Sequence, residues 1–352
     1  MTNSTQSLAT GESMAGNPLR VLKIANAFLE TQIVYVAIHL DIIELVSDGI
    51  DTVEAIATRV DANPDGLGRL LRGLAWLELL EEQITAGTRH YRVTPLGMLI
   101  RRGQPLRDVI EGNGHWGYRA VADLLHAVKT GEPVYEVIFG ATFFEYQNRD
   151  SVSSRNFNAI MSALTKETIS DVLAAYDFAQ SKLVVDLGGN TGTMLLGLLT
   201  AHPHLQGVVF DRPVLEEAAI ESIHKAGQDD RCRFQPGDFF KQVIPAGADC
   251  YILSQILHDW TDDDCIRILE EIRLALPDNG RLLIVEQLLP ERVDGQSAAV
   301  VMDLYMLVTT GGRERTEGQY RQLLEAAGFD LAQTYLRPDS PRAVLEAVPS
   351  AS

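Results

Sequence analysis

The sequence predicts an α/β protein: a doubly wound, mostly parallel sheet, preceded by an all-helical, winged-helix-like domain. Three observations predict it. From about residue 181, short apolar runs alternate with stretches of helical period, the pattern of strand–helix–strand units. The first of those runs, KLVVDLGG, ends in glycines and leads into an apolar helix, as the first strand of a ligand-binding sheet does. Before residue 104 the period is different. Apolar residues recur three and four apart, and a short glycine-centred hairpin follows them.

In order along the chain, residues 1–17 are polar, lack an apolar signal core and read as a disordered tail. Residues 18–103 are the winged-helix-like domain. LRVLKIANAFLETQIVYVAIHLDIIELV reads as one long helix. DTVEAIATRV and NPDGLGRLLRGLAWLELLEEQ read as two short helices around a turn, and ITAGTRHYRVTPLG as two strands about a Gly turn. Residues 104–180 are a helical connector with an aromatic-rich middle, expected to contribute to a substrate pocket. Residues 181–348 are the sheet domain. Strands are expected in KLVVDLGG, QGVVFDRP, CRFQPGDFF, ADCYILSQILHDW, RLLIVEQLLP and AVLEAV. Helices are expected in TMLLGLLTAHP, VLEEAAIESIHKAG, DCIRILEEIRLALPDNG and TEGQYRQLLEAAGF.

Composition bounds the function. A chain of 352 residues is long enough for two domains, and 46% hydrophobic with 22% charged residues is ordinary for a globular protein. The net charge of −18 repels nucleic acid and anionic membrane, so neither is an expected partner. In the winged-helix-like region Arg59, Arg69 and Arg72 face Asp61, Asp65, Glu78, Glu81 and Glu82. Without a basic face it reads as a scaffold rather than a DNA reader. The longest apolar run, IVYVAIHLDIIELV, is interrupted by His39 and Asp41 and is too short for a membrane span. Cys232, Cys250 and Cys265 are too few and too scattered for a disulfide framework or a zinc site, which fits a reducing cytoplasm.

The candidate cofactor site is VVDLGGNTGT. Gly188, Gly189 and Gly192 let the backbone turn tightly and approach a ligand. Asp211 ends the second strand, where a carboxylate accepts from both ribose hydroxyls. Asp238 ends the third, beside Phe239, and is placed to meet an adenine amino group while the ring packs. The dinucleotide spacing G-x-G-x-x-G is absent. Asp186, two residues before the first glycine, opposes a pyrophosphate by Coulomb repulsion. It attracts an ammonium and a sulfonium instead. S-adenosylmethionine carries both and no phosphate, so the turn favours that ligand over NAD.

VVDLGGNTGT, VVFDRP, PGDFF, LHDWTDDDC, IVEQLLP and GGRERTEGQYRQLLEAAGF together resemble the S-adenosylmethionine-dependent O-methyltransferases of the caffeate, acetylserotonin and bacterial polyketide-tailoring type, over about residues 20–348. The resemblance implies a Rossmann-like methyltransferase fold and a homodimer through the N-terminal domain. An apolar first helix that would otherwise expose Ile33, Val34, Val36 and Ile38 supports that dimer. By position, Gly188 would meet the methionine portion of the cofactor, Asp211 the ribose, and Asp238 and Phe239 the adenine. Plant members carry a lysine near the adenine where this chain has Ser254. His258 would be the general base, with Glu286 and Glu314 holding its ring. Phe157, Met161, Met302 and Met306 match cofactor- and acceptor-pocket positions, Asp259 is assigned to the acceptor side, and Trp260 would help close the pocket.

The chemistry asks for these residue types. A phenol of pKa about 10 is about one part in a thousand ionised at pH 7, and a positioned base recovers much of that deficit. Histidine suits the task, and a carboxylate on its ring fixes the tautomer and stabilises the imidazolium. The expected reaction methylates a hydroxyl of a small aromatic secondary metabolite and releases S-adenosylhomocysteine. No metal is expected. His258 alone, next to Asp259, would read as a strand-end histidine; Glu286 and Glu314 change that reading. Asp262, Asp263 and Asp264 read as a helix first turn capped by Thr261. Three other readings stand beside this one: a relative drifted to a hydroxylase- or decarboxylase-like reaction, a winged-helix transcriptional regulator, and a dinucleotide oxidoreductase.

Overall fold

The computed structural model describes residues 17–149, 151–241, 244–295, 297–338 and 340–351. The expected polar tail therefore lies, but for Asn17, outside the described residues. The chain divides into two compact units between His115 and Trp116.

The first unit holds α1 (Pro18–His39), α2 (Ile42–Ser47), α3 (Val53–Val60), α4 (Pro64–Trp76), the hairpin β1 (Leu80–Thr85) and β2 (Thr88–Val93), α5 (Pro95–Met98) and α6 (Pro105–Gly112). The expected single long first helix is two. Asp41 takes a left-handed conformation (φ 52°) between α1 and α2. Its carboxylate is bound there by Arg102 and, at 2.7 Å, by Arg107, contacts invisible to local periodicity. A second correction concerns exposure. Ile38 is buried in this unit's core and Ile33, Val34 and Val36 are half-buried, whereas Leu19, Val21, Leu22, Ile24, Phe28 and Leu29 are the exposed large apolar residues of α1. His115 stacks on Tyr35, with ring centroids 6.3 Å apart.

The second unit begins with α7 (Tyr118–Ala122), α8 (Leu124–Thr130), α9 (Tyr135–Phe139), α10 (Phe143–Gln147) and the long α11 (Ser151–Ala175). Trp116 packs edge-on against Phe143 within it. The sheet follows: β3 (Leu183–Leu187), α12 (Thr193–Ala201), β4 (Gln206–Asp211), α13 (Glu216–Lys225), β5 (Cys232–Pro236), β6 (Cys250–Ser254), α14 (Asp262–Ala275), β7 (Arg281–Gln287), α15 (Ala298–Thr309), α16 (Glu317–Ala326), β8 (Phe329–Leu336) and β9 (Arg342–Pro349). The strand order is β5-β4-β3-β6-β7-β9-β8. β3 through β7 are parallel to one another, and β9 runs antiparallel to both β7 and β8.

The alternation of side chains across the strands builds both faces. Val185, Leu187, Tyr251, Leu253, Leu282 and Ile284 pack with Ile268, Leu269 and Leu323 of α14 and α16 on one side. Val184, Ile252, Leu283 and Val285 pack with Val172, Leu195 and Leu198 of α11 and α12 on the other. Each such fully buried aliphatic side chain contributes about 1.5–3 kcal/mol. After β3 the chain moves out to β4 and β5, then returns to β6 on the other side. The carboxyl ends of β3 and β6 therefore flank the crevice where such sheets bind ligands.

Candidate active site

The β3 strand delivers Asp186 and then turns. Gly188, Asn190 and Gly192 all have positive φ (70°, 53° and 83°), a backbone that glycine and asparagine tolerate best. A Cβ on Gly188 would come within 2.4 Å of Ile256 Cδ1, and one on Gly189 within 2.6 Å of Asp186 Oδ2. Asp211, at the end of β4, accepts hydrogen bonds from the Asn190 N–H (2.8 Å) and the Arg212 N–H (2.6 Å). Asp238 follows β5, accepts from the Phe240 N–H (2.9 Å) and pairs with Lys241 (3.0 Å).

These residues wall a cavity of about 300 Å³. Asp186, Gly188, Gly189, Asp211, Asp238, Phe239 and Ser254 line it, and so do Phe157, Met161, Asp259 and Trp260. Four aspartates face it and Arg212 is the one cation among its lining residues. Burial, and then the Asp211 carboxylate, push Asp186 up to about 7. Its Oδ2 is buried without a hydrogen-bond partner among the described residues, as is Ser254 Oγ. A cationic, hydrogen-bonding ligand satisfies such a wall; a pyrophosphate does not.

His258 stands on a 3₁₀ turn, Leu257–Asp259, that follows β6. The turn is reached through Gln255 at φ 57°. Glu286, near the end of the neighbouring β7, accepts from the backbone N–H groups of Ile256 (3.0 Å) and Leu257 (2.9 Å) through Oε1, and its Oε2 lies 3.5 Å from His258 Nδ1. Glu314 Oε1 is 2.9 Å from the same nitrogen. Nδ1 faces only acceptors, so it carries the proton and donates to Glu314. Nε2 makes no hydrogen bond to the described residues; Asp259 Oδ1 is 3.9 Å from it. Burial opposes a charge on the ring, but Glu286, Asp259 and Glu314 outweigh it and push His258 up to about 10. Burial also raises Glu286 to about 7 and Asp259 to about 6.

Ile256, Asp259 and Trp260 around His258 line the cavity; Glu286 and Glu314 are fully enclosed behind them, while His258 keeps a small exposure of 8%. Gly192, Met302 and Met306 are not lining residues. Gly192 is the N-cap of α12, while Met302 and Met306 lie on α15, with Met306 buried. Arg212, Phe240 and Gln255 line the cavity and escaped the sequence reading; FDRP and GDFF sit at strand ends and carried a signal for the first two. His258, Glu286 and Glu314 also bring donor atoms within 4.8 Å of one another, a spacing a metal ion would accept. The 2.9 Å contact is equally the length of a charge-assisted hydrogen bond.

An acidic, phosphate-averse crevice at the switch point of such a sheet, beside a buried histidine–glutamate pair, defines a methyltransferase class of fold and site. Residues 118–330 match the O-methyltransferase domain and residues 22–101 the O-methyltransferase dimerisation domain. The chain belongs to the S-adenosylmethionine-dependent O-methyltransferases. It is 38% identical over 331 residues to the phenazine O-methyltransferase of Lysobacter antibioticus, covering 94% of this chain and 95% of that one. The structure of a mitomycin 7-O-methyltransferase superposes with a TM-score of 0.88 at 32% identity, over 94% of this chain and 97% of that one. Human N-acetylserotonin methyltransferase in complex with S-adenosylmethionine superposes with a TM-score of 0.85 at 28% identity, over 97% and 100%.

Proposed function

We propose that the chain transfers a methyl group from S-adenosylmethionine to a phenolic hydroxyl of a small aromatic secondary metabolite, with His258 as general base. The observation that carries this reading is the buried His258 ring, tied through Nδ1 to Glu314 at 2.9 Å with Nε2 left to accept a proton. Bound S-adenosylmethionine would supply an electrophilic methyl. Asp186 would meet its cationic end, Asp211 the ribose, and Asp238 with Phe239 the adenine. Phe144, Phe157, Met161 and Trp260 give the cavity an apolar, aromatic side suited to a flat acceptor, and the phenazine relative acts on one. His258 takes the acceptor proton on Nε2, while Glu314 and Glu286 stabilise the imidazolium. The carboxylates around it make His258 a stronger base than free imidazole, and catalysis proceeds from the form whose Nε2 is unprotonated.

The protein acts as a homodimer in this reading. By length and composition alone α1 would pass for a membrane span. The dimerisation match over residues 22–101 gives its exposed Leu22, Ile24, Phe28 and Leu29 a second copy of the chain as partner instead.

Calorimetric titration tests the cofactor site. S-adenosylhomocysteine binds and NAD does not. Asp186→Asn weakens binding by at least about tenfold, ~1.4 kcal/mol, because a buried carboxylate facing the ligand is neutralised. Equal affinity for both ligands, or none for S-adenosylhomocysteine, defeats the assignment. Methyl transfer proceeds at an unchanged rate in EDTA, since a proton rather than a metal occupies the space between His258 and Glu314.

A further inference from the structure

We propose that Arg315 is a positioning residue for the base: its guanidinium holds the His258 turn by the carbonyls on either side of it. The inference rests on His258 being the base. Arg315 is 1% exposed and lies outside the cavity wall. Its Nη1 donates to the Leu257 carbonyl (2.8 Å) and its Nη2 to the Trp260 carbonyl (2.8 Å). Those two carbonyls bracket His258 and Asp259. The outer edge of the fork, Nε and Nη2, donates to Asp262 Oδ1 at 2.9 and 2.7 Å.

The neighbours of Arg315 act on the same turn. A Cβ on Gly312 would sit 2.0 Å from the His258 carbonyl oxygen, so glycine lets the two backbones touch. The Arg313 N–H donates to that same oxygen at 2.8 Å, and Glu314 binds the ring. Four consecutive residues thus grip a three-residue turn from one side. From the other, Glu286 binds its N–H groups at Ile256 and Leu257. The turn is clamped on its donors by a carboxylate and on its acceptors by a guanidinium. A planar fork with five donors reaches two carbonyls and an anchor at once; a lysine reaches one of them. Buried charges are normally paired. Here the one carboxylate partner, Asp262, has a half-exposed side chain (52%), and backbone carbonyls take the remaining donors.

The experiment uses the full-length protein and four forms: wild type, Arg315→Lys, Asp262→Ala and His258→Gln. Each is measured for kcat, for S-adenosylhomocysteine affinity, for melting temperature and for the pH profile of kcat. Arg315→Lys lowers kcat by about 10- to 100-fold, the scale of a 1 Å misplacement, with S-adenosylhomocysteine affinity changed by less than about threefold. Its rising pH limb moves to lower pH, because a ring displaced from Glu314, Glu286 and Asp259 loses their stabilisation of its charged form. Asp262→Ala shifts both readouts the same way by less, and it alters a half-exposed side chain, so it answers if Arg315→Lys does not fold. Unchanged kcat and pH limb in the folded variants overturn the proposal. So does a kcat loss that tracks melting temperature with the limb unmoved. Failure of the underlying reading is separate: His258→Gln then keeps both kcat and the wild-type limb.

Discussion

Replacing His258 with glutamine lowers kcat by about 10²- to 10⁴-fold, the range a positioned general base supplies, while S-adenosylhomocysteine still binds. Glutamine approximates the size of the ring and retains an N–H for Glu314. It cannot take up a proton. The acceptor is then left with its own ionisation, about one part in a thousand at pH 7 for a phenol of pKa about 10. The residues assigned to the cofactor are others, Asp186, Asp211 and Asp238 among them, so binding is spared and kcat bears the loss. Steady-state methyl transfer alongside calorimetry separates the two. A variant with kcat within threefold of wild type would remove His258 from the mechanism. The mass of the product decides a further point: an acceptor heavier by one CH2 unit, a methyl in place of the hydroxyl hydrogen, fits transfer, and one heavier by an oxygen or lighter by carbon dioxide fits a drifted reaction.

The sheet domain was legible because strands buried on both faces read as apolar runs, and β3, β4, β6 and β7 are such runs. The strand that escaped, β8, lies at the sheet edge and is mostly exposed or half-buried along FDLAQTYL. Its alternation is broken by a register shift between Leu331 and Gln333. It pairs antiparallel with β9 and so gives the parallel sheet an antiparallel border, which no spacing in the sequence announces. The predicted cofactor residues nearly all reach one cavity, since each stands at the end of a strand whose neighbours are fixed by the fold. The acceptor positions Met302 and Met306 were helical-period apolar residues, and the structure leaves them off that wall. Arg315 could not be found by pattern at all. Its partners Leu257, Trp260 and Asp262 lie more than fifty positions away, and only the close approach at Gly312 brings them together.

The two glutamates on His258 are expected to separate in a pH profile. Removing either negative charge makes the imidazolium less stable. The His258 pKa, held up to about 10 by Glu286, Asp259 and Glu314 against burial, therefore falls. Activity needs an unprotonated Nε2, so the rising limb of kcat moves to lower pH in both Glu314→Gln and Glu286→Gln. The plateau heights differ. Glu314 is the carboxylate at hydrogen-bond distance from Nδ1 (2.9 Å), and its own N–H is fixed on Asp303 Oδ1 at 3.0 Å. A glutamine there can turn its amide N–H₂ towards the ring and stabilise the tautomer with Nδ1 bare and Nε2 protonated, which accepts nothing from the acceptor. The loss approaches about 10⁴-fold where a buried carboxylate orients a catalytic histidine in this way. Glu286 sits farther from the ring (3.5 Å) and holds two backbone N–H groups through Oε1, work that a glutamine carbonyl continues. Glu286→Gln keeps the Nδ1–Glu314 bond and the correct tautomer, so its plateau falls far less while its limb still moves. A limb that stays in place or moves to higher pH in Glu314→Gln contradicts the assignment of that limb to His258. Equal plateaus in the two variants contradict the division between tautomer control by Glu314 and charge support by Glu286.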